Sequence, residues 1–133
     1  MEHPLTSKFL FCALAAAGPL FTSSMAAAAD AKVTLLSFSK GKEVPASITL
    51  LKRDGKLGRD NPFYEGYRPQ LQFVGRPEVT CAIRIPKPQD KVEPGDTATV
   101  GVVCIDDFQA PEKDLSFVML EGGRKVGEGV LKP

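Results

Sequence analysis

Two stretches of alternating apolar residues constrain this chain most. In the first, Val79, Cys81, Ile83 and Ile85 recur at every second position; in the second, Ala98, Val100, Val102 and Cys104 do the same. A period of two puts those side chains on one face of an extended strand, so each run is a strand with a single buried side. Pro86, Pro88 and Pro94 crowd the segment between them, which excludes a helical crossover there. The two runs are thus expected to pair as antiparallel neighbours. Facing residues would then have numbers summing to 185 or slightly less, and Cys81 and Cys104 sum to 185.

Further short β-rich runs are read at Lys32–Phe38, Ser47–Arg53, Pro69–Gly75, Leu115–Leu120 and Arg124–Leu131. Asp54-Gly55, Pro94-Gly95-Asp96 and Gly122-Gly123 separate them with turn chemistry. No helix is predicted. Short strands at this spacing point to an all-β barrel or sandwich, and no internal repeat is visible.

The N-terminus sets a second constraint. Lys8 precedes the apolar run FLFCALAAAGPLF, and polar TSS and the small-residue stretch MAAAAD follow. Positive charge, a short apolar core and small residues before a cut make a secretory signal, here 1–29 with cleavage after Ala29. The run is too short for a membrane span of roughly 20 apolar residues. Phe11 before Cys12 is too large for a lipoprotein signal, so Cys12 is expected to leave with the segment. The expected address is exported, either periplasmic or secreted, with no membrane attachment after cleavage. Lys8 and Glu2 leave together, so the formal charge of +1 is unchanged. A near-neutral domain lacks the field that gathers nucleic acid. The only histidine, His3, also leaves. Without histidine, a Ser-His-Asp triad, a Cys-His pair and a His-based zinc site are excluded.

Three blocks carry a resemblance: GRDNPFYEGYRPQLQF at 58–73, KVEPGDTATV at 91–100 and LSFVMLEGGRKVGEGVLK at 115–132. In order and spacing they resemble the C-terminal, third domain of the elongation factor Tu family. The resemblance implies a closed six-stranded antiparallel barrel over 44–133, with 30–43 as an extra strand or linker. The sequence contains no G-x-x-x-x-G-K-[ST] phosphate loop; Gly122 to Gly127 is followed by Glu128. GTP hydrolysis is therefore not carried over, and no cofactor or metal is expected.

In the family this barrel contacts the T stem of aminoacyl-tRNA, and the contacting positions fall on Gln70, Thr80, Glu121 and Gly122. The family's basic residue before EGGR is Leu120 here, and its small residue between the last two glycines is Glu128. One reading keeps the four residues for RNA; the other keeps them for building the fold. Arg68 and Arg124 read either as anion binders or as arginines tied to turn carbonyls or a carboxylate. Lys52, Arg53, Lys56 and Arg59 surround a hairpin turn and read as an acidic-partner site or as a solvated charged turn. Asp106, Asp107, Glu112 and Asp114 form an acidic loop without calcium-site spacing. Cys81 and Cys104 read equally as a disulfide, favoured by an oxidising compartment, or as two buried thiols. The expected function is that of an exported, non-enzymatic binding or scaffold module with a protein partner and no nucleic acid. The alternative is a tRNA-binding domain acting in translation without its own GTPase domain.

Overall fold

A computed structural model describes residues 32–133. The expected signal segment 1–29 lies outside the described residues, as do His3 and Cys12. Ten strands follow in chain order: β1 (Leu35–Phe38), β2 (Glu43–Leu50), β3 (Phe63–Tyr64), β4 (Gln70–Phe73), β5 (Val79–Arg84), β6 (Lys91–Val92), β7 (Thr97–Cys104), β8 (Phe108–Pro111), β9 (Ser116–Glu121) and β10 (Arg124–Leu131). Six of them close a barrel in the order β10-β2-β7-β5-β4-β9, while β1-β8 and β3-β6 form separate two-stranded ribbons. Every strand pair is antiparallel. No helix occurs among the described residues.

The alternating runs set the register. β5 pairs β7 with Cys81 opposite Cys104, Ala82 opposite Val103 and Ile83 opposite Val102, each pair summing to 185. Cys81 donates its N–H to Pro69 O at 3.1 Å, and Cys104 O accepts from Gly41 N at 2.9 Å. The two cysteines share no backbone hydrogen bond, so they occupy the narrow kind of antiparallel pair, with Cα atoms 3.8 Å apart. Their sulfurs are joined in a disulfide. Both residues are buried, and they belong to a core that includes Ile48, Leu50, Leu71, Phe73, Ile83, Val102 and Met119. Each such large apolar side chain contributes about 1.5–3 kcal/mol by leaving water.

Six strands leave little room inside, and the sequence makes space with glycine. Gly127 lies opposite Met119 and Leu50; Gly129 lies opposite Phe117 and Ile48. A Cβ on Gly129 would stand 2.6 Å from Ser47 O and 2.7 Å from Phe117 Cζ. The glycines let β2 and β10 approach while Phe117 and Met119 fill the lumen. Gly122 and Gly123, at φ 61° and 81°, form the two-residue turn between Glu121 and Arg124 that joins β9 to β10.

Three elements differ from expectation. β2 begins at Glu43 and ends at Leu50, not at 47 and 53. It runs through Pro45, whose carbonyl accepts from Lys132 N at 2.8 Å, beyond the end of β10. The missing N–H of Pro45 faces that same side, so the ladder to β7 is untouched and only the reciprocal bond to Lys132 at the strand end is absent. The segment 106–114, expected as an acidic loop, contains β8, which pairs with β1 along its whole length. The short β3-β6 ribbon joins Phe63 to Val92, both buried.

Candidate functional site: a clamped carboxylate at one end of the barrel

The sequence blocks converge on Glu121. GYRPQ enters from the turn after β3, where Gly66 N donates to Ile83 O at 3.0 Å and Ile83 N to Tyr67 O at 2.8 Å. Glu65 holds the loop from outside, accepting from Arg84 Nε at 2.6 Å and Ile85 N at 2.5 Å. Tyr67 then stacks on Phe63, ring centroids 4.5 Å apart, and its hydroxyl donates to Glu121 Oε1 at 2.5 Å. Arg59 Nη1 donates to the same oxygen. The Arg59 guanidinium lies 5.0 Å from the Tyr67 ring centroid, and its Nε donates to Asn61 O at 3.1 Å. Pro69 is buried, and Gln70 begins β4.

The electrostatics follow from this geometry. The Tyr67 hydroxyl, and then the Arg59 guanidinium, hold the Glu121 carboxyl below the ordinary glutamate range. Burial, reinforced by the adjacent Glu121 charge, pushes the Tyr67 phenol up. A carboxylate stabilised in its charged form and a phenol stabilised in its neutral form have no proton to exchange near neutrality. The trio is a clamp that fixes a loop, and it lacks the pKa match that acid–base chemistry needs.

Beside the clamp is a cavity of about 150 Å³ lined by Arg53, Arg59, Asp60, Asn61, Glu121 and Arg124. Arg53 sits 3.8 Å from Asp60. Among the described residues, neither Arg68 nor Arg124 makes a side-chain hydrogen bond or ion pair. The arginine tied to turn carbonyls and a carboxylate is instead Arg59, which the sequence places in a charged turn. Its partner is 62 positions away, and no local pattern signals that contact.

The four RNA-aligned positions are neighbours. Gln70 pairs with Thr80 on one side and Leu120 on the other, and Leu120 pairs with Lys125. Thr80, Gln70, Leu120 and Lys125 therefore form one cross-strand row, in which Leu120 is buried and the other three are half-buried; Glu121 and the exposed Gly122 follow at its end. Lys125 is committed to Glu128 at 3.0 Å. No group of three or more His, Cys, Asp or Glu able to hold a metal occurs among the described residues. A family model described as the elongation factor Tu C-terminal domain matches residues 37–133.

Proposed function

The chain belongs to the elongation factor Tu C-terminal domain family, and from that premise we propose an exported, non-enzymatic binding module whose partner is a protein. The observation that carries the reading is the clamp. Glu121, which the resemblance would offer to RNA, is spent on holding Arg59 and Tyr67. The row beside it ends in apolar Leu120 and in a lysine already neutralised by Glu128. RNA affinity depends on several uncommitted cations facing phosphates; the row itself supplies none, and Arg124, opposite Glu121 at its end, is a single unpaired cation there. The Cys81–Cys104 disulfide supports an oxidising address.

Two measurements test the reading. Cell fractionation with N-terminal sequencing is expected to find a mature chain starting near Asp30 outside the cytosol; an intact Met1 in the cytosol would overturn export. Titration with tRNA at physiological salt is expected to show no saturable binding, in the non-specific range of about 10⁻⁴ M or weaker. Micromolar, salt-sensitive binding lost in Gln70→Ala would make RNA the partner.

A further inference from the structure

Barrel closure removes the edges of six strands, but the β1-β8 ribbon lies outside the barrel and keeps two. Hydrogen bonding alternates along β1. Glu112 N donates to Thr34 O at 2.8 Å. Leu36 and Phe38, of the same parity, therefore turn their backbone groups towards Ala110 and Phe108 of β8. Val33, Leu35 and Ser37, at the intervening positions, turn theirs the other way. Among the described residues no strand and no backbone hydrogen bond meets them on that side.

The two edges of the ribbon are not equivalent. That of β8 carries Pro111, which has no N–H to offer and whose carbonyl accepts from Asp114 N at 3.1 Å. That of β1 is unguarded: from Val33 to Phe38 the sequence VTLLSF holds no charge, no proline and no glycine. Val33 is 70% exposed, the most exposed large apolar side chain among the described residues. Cleavage after Ala29 would leave Asp30 and Ala31 ahead of the described residues, too short a segment to turn back along this edge.

We propose that the open edge of β1 pairs antiparallel with the same edge of a second copy, joining the two ribbons into one sheet. The segment is its own complement about a two-fold axis at Leu35. Leu35 then faces Leu35 of the second copy, Val33 faces Ser37, and each of these pairs exchanges two backbone hydrogen bonds. Side chains directly opposite share a face, so the two Leu35 side chains meet between the two copies of Pro111, the residue that Leu35 faces within its own ribbon. Lys32, the nearest charge, falls opposite Phe38. A parallel, in-register pairing would set Lys32 against Lys32 and Lys40 against Lys40, which like-charge repulsion disfavours. The proposal rests on the export reading for the uncovered edge, and is independent of what the module binds elsewhere.

The test uses the chain from Asp30, the expected mature form, which contains every strand. Sedimentation equilibrium and NMR hydrogen exchange are followed from micromolar to millimolar concentration. The edge is short and buries less than a standard interface, so a weak dimer is expected, half-associated in the high-micromolar range. The amides of Val33, Leu35 and Ser37 are expected to gain about threefold protection at millimolar concentration, the inverse of the monomer fraction left by mass action. Those of Leu36 and Phe38 stay as they are, because β8 already holds them. Leu35→Pro removes an outward N–H and no bond to β8, and is expected to leave a folded monomer. Val33→Pro, ahead of β1, does the same should Leu35→Pro fail to fold. A chain that stays monomeric at millimolar concentration overturns the proposal. So does a dimer in which those three amides gain nothing, or one that persists in Val33→Pro. A monomer whose same amides are protected by added acetyl-Val-Thr-Val-Thr-amide makes a foreign strand the occupant and overturns the second copy. Each of these outcomes leaves export standing, since fractionation decides that separately.

Discussion

Tyr67, Arg59 and Glu121 show how one oxygen can organise one end of the barrel. Tyr67→Phe removes a hydrogen bond to a charged acceptor while keeping the ring on Phe63. Because the Glu121 side chain is 41% exposed, solvent compensates in part, and a loss of about 1 kcal/mol in denaturant unfolding is expected. The acid limb of stability carries the same signature. Glu121 has its pKa lowered in the folded state, so its contribution is full above the ordinary value of 4.5 and is lost as pH falls through that value towards the folded one. The melting temperature is therefore expected to decline below about pH 4.5 more steeply in the parent than in Glu121→Gln. The partnership of this trio was not legible beforehand. GYRPQ and EGGR stand out in the sequence, but nothing local marks Arg59 as the cation that joins them, and Arg124 is the nearer candidate by position.

Strands were legible where burial is one-sided. In β5 and β7 the parity of apolar residues fixes both the strand and its register, and with the register the facing of Cys81 and Cys104. β8 was not legible, because Phe108-Gln109-Ala110-Pro111 is short, contains proline and sits among acidic residues. Only its pairing with β1 makes it a strand, and that partner lies some 70 positions upstream. β10 shows a subtler effect, since Gly127 and Gly129 weaken any strand signal while allowing the barrel to close. Gly129→Ala is expected to destabilise by roughly 1–3 kcal/mol, the range for overpacking, because its new methyl meets the backbone oxygen of Ser47 as well as Phe117. Glu128→Ala, on the exposed face of the same strand, is expected to cost no more than about 0.5 kcal/mol. Chemical denaturation of the two variants side by side separates a packing role for the glycines from a general weakness of the strand.

At the scale of the whole molecule, closure joins β10 to β2 and leaves the six barrel strands without a free edge. The disulfide adds a covalent tie across the β5-β7 seam, spanning 23 residues. By chain entropy its removal in a Cys81→Ala/Cys104→Ala double variant, which buries no new polar group, is expected to cost about 3 kcal/mol, read from the denaturation midpoint. Its position has a consequence for how the protein meets its chemical surroundings. Cys81 and Cys104 are 0% and 2% exposed, and thiol–disulfide exchange needs an attacking thiolate to touch a sulfur. In the closed barrel the bond is sealed off, so the ambient redox potential governs it only during moments when the wall opens. Reduction by dithiothreitol is then expected to be limited by opening: its rate should level off as reductant is raised and climb with added urea. An accessible bond would instead show a rate proportional to reductant throughout. A finished barrel of this kind keeps the oxidation state it acquired while open and carries it unchanged through later shifts in its environment.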